Sequence, residues 1–147
     1  MKTNFEVLPP LYFSYGSNIN REQMARRCPT AEYLGSFHLR GWELEFGNHA
    51  NIVRRKNAVV PGAMWMLTKP DLDSLDRYEG YPHYYTTRNW KQDGIKFFFY
   101  EMTAPASGNP SEYYIRGILE GYRDSGLDPQ YLYDRLHNDI SRIQLAS

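Results

Sequence analysis

The sequence predicts an α+β domain with mostly antiparallel strand pairing, and three observations predict it. Up to about residue 102 the chain is a series of short aromatic and β-branched runs separated by Gly, Asp or Asn. The joins between these runs are too tight for the helical crossovers that parallel neighbours need. Beyond the linker-like stretch at 104–111 (APASGNPS) the apolar spacing changes from that of a strand to that of a helix.

The expected strands are LYFSY (11–15), EYLGSFHL (32–39), WELEF (42–46), AVVPGAMWML (58–67), YYTTRNW (84–90) and IKFFFYEM (95–102). Asp93-Gly94 supplies hairpin-turn chemistry between the last two, and Arg40-Gly41 does likewise between the second and third. Two short helices interrupt this β part. Asn20 caps the first, over NREQMARRC, with Gln23 three residues on and Pro29 stopping it. Thr68 caps the second, over KPDLDSLDRYE, with Asp71 completing a capping box and Gly80 ending it. After the linker, Ser111 caps a helix that shows Ile115, Ile118, Leu119 and Tyr122 on one face and stops at Gly126. A last helix starts with Asp128 as cap and Pro129 in its first turn, and turns Leu132, Leu136, Ile140 and Ile143 to the core.

The 147 residues suit one domain, 1–147, large enough to bury about two thirds of its unfolded surface without disulfide staples. Lys and Arg number 17, as do Asp and Glu, so the summed charge gives no attraction to nucleic acid or to an anionic membrane. The one cationic run, Arg54-Arg55-Lys56, is too short for a nucleic-acid patch and is expected at a solvated strand end. A single cysteine, Cys28, excludes an intramolecular disulfide. The first residues lack the pattern of a signal peptide, and no apolar run approaches the ~20 residues of a membrane span. The expectation is a soluble, cytoplasmic protein.

Little of the usual catalytic vocabulary is present. His38, His49, His83 and His137 are widely spaced, with no HxxxH or CxxC, so no metal site is expected. Cys28 reads as a small buried hydrophobe. Ser17 lacks the glycine-flanked elbow of a hydrolase nucleophile. Two stretches remain. In YFSYGSN (12–18) an alternating run breaks into Gly16-Ser17-Asn18, which reads either as an ordinary turn or as a loop whose free N–H groups bind an anion. In LDSLDRYEGYPHYY (72–85), Glu79 ends an amphipathic helix inside the densest aromatic cluster of the chain. A surface glutamate closing a helix is one reading. The other is a proton carrier, because the negative end of the helix dipole and burial among rings both raise a carboxyl pKa.

YFSYGSNINREQMARRCP, LDSLDRYEGYP and FFYEMTAPASGNPSEYYIRGILEGYRDSGLDPQYLYDRL, in that order over about residues 11–137, resemble the γ-glutamylcyclotransferase family. The resemblance implies a small mixed, mostly antiparallel β-barrel with helices packed around it. It implies that the α-amine of a γ-glutamyl compound attacks its own γ-carbonyl, releasing 5-oxoproline and a free amine or amino acid. Glu79 is then the acid/base, and Tyr15, Gly16, Ser17 and Asn18 hold the γ-glutamyl group through main-chain N–H groups. The tyrosine of the PSxxY element falls on Tyr114, with Tyr113 beside it leaving the register open. A side chain at position 16 would obstruct the ligand. Neither metal nor cofactor is implied, and the partner is a small γ-glutamyl molecule bound by a monomer or homodimer. The leaving side is expected from a loop at 48–57 and a strand at 83–88. A non-catalytic module that binds a carboxylate-bearing metabolite or peptide in the same pocket is the alternative.

Overall fold

The run FFFY at 97–100 dictates the centre of the fold. Side chains alternate between the two faces of a strand, so four consecutive aromatic residues require both faces to be covered. The computed structural model, which describes residues 9–146 and their side chains as far as residue 137, meets that requirement. Its strands are β1 (Leu11–Ser14), β2 (Glu32–Phe46), β3 (Ala50–Met66), β4 (Tyr85–Gln92) and β5 (Ile95–Met102), in the sheet order β2-β3-β1-β5-β4. Phe97 and Phe99 join Phe13, Trp42 and Tyr122 in one core cluster; Phe98 and Tyr100 join Tyr12, Trp65 and Leu72 in another.

Pairing is antiparallel between β1 and β3, β2 and β3, and β4 and β5. It is parallel between β1 and β5, where Tyr12 faces Phe98. The class is therefore α+β with a mixed, mostly antiparallel sheet. Its two outer strands, β2 and β4, meet through side chains: Gln92 donates to the His38 carbonyl and accepts from the Arg40 N–H, both at 2.9 Å. Arg40 also pairs with Asp93 at 2.7 Å. The strand pairing itself stops short of a closed barrel.

Two expectations about the β part are corrected. Arg40-Gly41 is not a hairpin: β2 runs straight through, with a register shift between Arg40 and Trp42 and Gly41 at φ 85°. A glycine bulge and a two-residue hairpin turn both call for a residue of positive φ, and only the partner strand tells them apart. The expected loop at 48–57 is strand from Ala50 onward, with the turn confined to residues 47–49. Arg54, Arg55 and Lys56 are consequently exposed within β3 rather than at its end. Arg54 lies over the rings of Trp42 and Trp90, and Arg55 pairs with Glu43.

The helices are α1 (Arg21–Arg27), α2 (Lys69–Tyr78), α3 (Glu112–Asp124) and α4 (Pro129–Ala146). Their signals are those in the sequence. Asn20 accepts from the Gln23 N–H at 3.0 Å, and Ser111 from the Tyr114 N–H at 3.1 Å, caps that each contribute about 1 kcal/mol. Asp71 accepts from the Thr68 N–H at 3.0 Å and from its hydroxyl at 2.9 Å. Gly80 and Gly126 both take φ 65° where their helices stop. Ile118, Tyr122 and Leu132 are fully buried, with Ile115, Leu119 and Leu136 packed beside them. The side chains of Ile140 and Ile143 fall outside the described residues.

Candidate active site

Strand β1 delivers the first half of the site. Tyr12 faces the second core cluster and Phe13 the first, and after Tyr15 the chain tightens into a 3₁₀ turn over Ser17–Ile19. Ile19 donates to the Gly16 carbonyl and Asn20 to that of Ser17, both at 3.1 Å. As the leading groups of a helical turn, the Ser17 and Asn18 N–H groups have no acceptor within it. Gly16 has φ −116°, so left-handed backbone is not what selects glycine here. Space is: a Cβ would stand 3.3 Å from the Tyr114 hydroxyl and 3.4 Å from the Ala50 methyl.

Helix α2 delivers the second half. Leu72 and Leu75 are buried in the second cluster and fix the helix's rotation; Glu79 is its C-cap, with its N–H donating to Leu75 at 2.8 Å. Gly80 then turns the chain away, leaving the Glu79 carboxyl directed into the protein.

The two halves meet in a cavity of about 170 Å³. Tyr15, Gly16, Ser17, Asn18, Glu79 and Tyr114, all singled out in the sequence, line it. Asn18 Nδ2 donates to Glu79 Oε1 at 3.2 Å and to the Tyr12 hydroxyl at 2.9 Å. Tyr15 donates to the Tyr100 carbonyl at 2.6 Å. Of the pair Tyr113-Tyr114, Tyr114 reaches the cavity and accepts from the Ala50 N–H at 2.9 Å, whereas Tyr113 is 78% exposed.

Sequence reasoning did not assign Tyr12, Tyr78 or Tyr100 to the site. Tyr12, Tyr78, Tyr84, Tyr85 and Tyr100 bring the cavity's tyrosines to seven of thirteen lining residues, so the site is bounded by neutral hydroxyls and rings. Of the stretches expected on the leaving side, His49 and Ala50 and then Tyr84 and Tyr85 reach the cavity. His49 Nδ1 lies 2.9 Å from the Tyr84 hydroxyl at its mouth.

This lining sets the electrostatics. Burial pushes the Glu79 carboxyl up to about 8, and the Arg27 guanidinium pulls it back only in part. Burial first, and the Glu79 charge after it, raise Tyr12 and Tyr15 well above the ordinary tyrosine value, while burial first and the Asp76 carboxylate after it raise Tyr100. A carboxyl that exchanges its proton near neutral pH, inside a wall of groups that keep theirs, is fitted to move a proton. Cys28 takes no part: it is 2% exposed, burial lifts its thiol to about 12, and it points to the Asp71 carbonyl. No cluster of three or more His, Cys, Asp or Glu with metal-binding geometry occurs among the described residues.

The family model described as "Gamma-glutamyl cyclotransferase, AIG2-like" matches residues 12–116. The chain belongs to this family. The match opens at Tyr12 and closes just after Tyr114, so both halves of the cavity fall inside the family's segment. Among curated proteins, the chain is 32% identical to a γ-glutamylcyclotransferase of Homo sapiens over 139 residues, covering 82% of this chain and 74% of that one. It is 31% identical, with the same coverage, to that of Bos taurus. A solved structure named γ-glutamyl cyclotransferase superposes with a TM-score of 0.75 at 30% identity, covering 85% of both chains.

Proposed function

We propose that the protein is a γ-glutamylcyclotransferase with Glu79 as its proton carrier. The observation that carries the reading is the raised, partly buried Glu79 carboxyl hydrogen-bonded to Asn18 and lining a cavity, in a chain whose relatives bear that name. Those relatives favour the enzyme over a binding module.

The chemistry asks for little. A γ-glutamyl compound carries its own nucleophile, and intramolecular attack has an effective molarity up to ~10⁵ M or more in good geometry. Ionised Glu79 removes a proton from the α-ammonium, and the freed amine adds to the γ-carbonyl to form the new C–N bond. The carbonyl oxygen becomes an oxyanion held by the N–H groups of Ser17 and Asn18. The oxyanion re-forms the carbonyl as the old C–N bond breaks, Glu79 returns its proton to the leaving nitrogen, and the extra proton that the ring nitrogen carries after attack passes to solvent, leaving a neutral lactam. The products are 5-oxoproline and a free amine or amino acid, and Glu79 ends ionised as it began. Tyr15, Gly16 and Tyr114 shape the pocket around the glutamyl chain. The leaving group exits past His49 and Tyr84.

With this reading go a small-molecule partner, one domain over 1–147, a monomer or homodimer, and a cytoplasmic setting. Among the described residues no helix is long and apolar enough to cross a membrane.

The test is incubation with a panel of γ-glutamyl amino acids, γ-glutamylamines and glutathione, with 5-oxoproline as the readout. Release from at least one compound is expected. Release from none would refute the reading.

A further inference from the structure

Arg27 ends α1 outside the cavity, yet it is connected to both halves of it. Its guanidinium donates to Asn18 Oδ1, to Ser17 Oγ at 3.4 Å and to Gln23 Oε1 at 2.8 Å, and lies 3.8 Å from the centre of the Tyr78 ring. We infer that Arg27 is a positioning residue for the proposed reaction: it locks the Asn18 amide with Nδ2 turned toward Glu79. A guanidinium can only donate, so the Asn18 carbonyl must face it and the NH₂ must face the other way. There it meets Glu79 Oε1 at 3.2 Å and the Tyr12 hydroxyl at 2.9 Å. Without the cation the amide is free to flip and set its oxygen against the Glu79 carboxyl, an arrangement compatible only with the protonated acid.

The groups facing Glu79 from the surrounding elements are Tyr12 and Tyr15 at β1, Tyr84 and Tyr85 at β4, Tyr100 on β5 and Tyr114 on α3, with His49 at the mouth. Those tyrosines are raised by burial and stay neutral while Glu79 titrates. Arg27 is the charge that favours ionised Glu79. It therefore acts on Glu79 twice, through space and through Asn18.

The inference rests on Glu79 as proton carrier, and its test is separable from turnover. The carboxyl ¹³C resonance of Glu79, assigned by its loss in Glu79→Gln, is titrated in the whole protein. Wild type is expected to turn near pH 8, Arg27→Met about one pH unit higher, and Arg27→Lys, which keeps the charge, in between. With a turned-over substrate, Arg27→Met is also expected to lose about tenfold in kcat with KM little changed. Should Arg27→Met fail to fold, Arg27→Gln takes its place and must move the midpoint upward as well. A folded, uncharged variant that titrates like wild type overturns the positioning role. Absence of 5-oxoproline release by wild type would instead overturn the proposed function.

Discussion

Asn18 and Glu79 are separated by 61 positions in sequence and joined by a 3.2 Å hydrogen bond. The bond ties a tight turn after a central strand to the C-cap of a helix, and it favours the ionised form of Glu79 where burial opposes it. Asn18→Ala removes the donor. A hydrogen bond to a charged group is worth about 1.5–3 kcal/mol, so kcat/KM is expected to fall about tenfold or more. Its rise with pH moves to higher pH. An unchanged pH–rate profile would show that Asn18 does not support the carboxylate.

The raised Glu79 has a consequence for stability. In the unfolded chain the carboxyl ionises near 4.5, in the folded chain near 8. Between these values the folded state binds more protons than the unfolded state, so wild-type stability falls as pH rises through that window. The loss is at most about 1.4 kcal/mol per pH unit. Glu79→Gln cannot ionise and escapes it. Urea unfolding is expected to show the variant's advantage growing from nothing near pH 4 to a few kcal/mol, on the order given by that slope, above pH 8. Parallel curves for the two proteins would mean that Glu79 is not held protonated.

Much of the fold and part of the site were legible in the sequence because their causes are local. Thr68 and Asp71 announce a helix start, Gly80 its stop, and together they place Glu79 at a C-cap without any tertiary information. The FFFY run announces a strand covered on both faces. What was illegible depends on which strands become neighbours. Tyr12 and Tyr100 reach one cavity only because β1 pairs in parallel with β5, an arrangement that tight antiparallel joins do not suggest. Gly41 shows the same limit in miniature, its positive φ serving a bulge where a hairpin was expected. Arg27 sat unnoticed in a helix of polar residues because its partners, Ser17, Asn18 and Tyr78, come from two separate elements.

Gly16→Ala tests the tightness of the turn. The added methyl meets the Tyr114 hydroxyl at 3.3 Å and the Ala50 methyl at 3.4 Å, distances that require the neighbours to give way by a few tenths of an ångström. Folding should tolerate that, within about 1 kcal/mol of wild type by denaturant unfolding, at the low end for overpacking. The pocket should not, and KM is expected to rise several-fold. Normal KM in a folded variant would remove the steric reason for glycine at this position.

Glu79→Gln measures whether Glu79 carries the proton. The amide keeps the side chain's shape and its capacity to accept from Asn18 but cannot take a proton from the α-ammonium. With any γ-glutamyl compound that wild type converts, 5-oxoproline release by the variant is expected to fall by about 10² or more in kcat. Calorimetric binding of that same compound should stay close to the wild-type affinity. A Glu79→Gln protein that turns over at the wild-type rate would exclude Glu79 as the proton carrier.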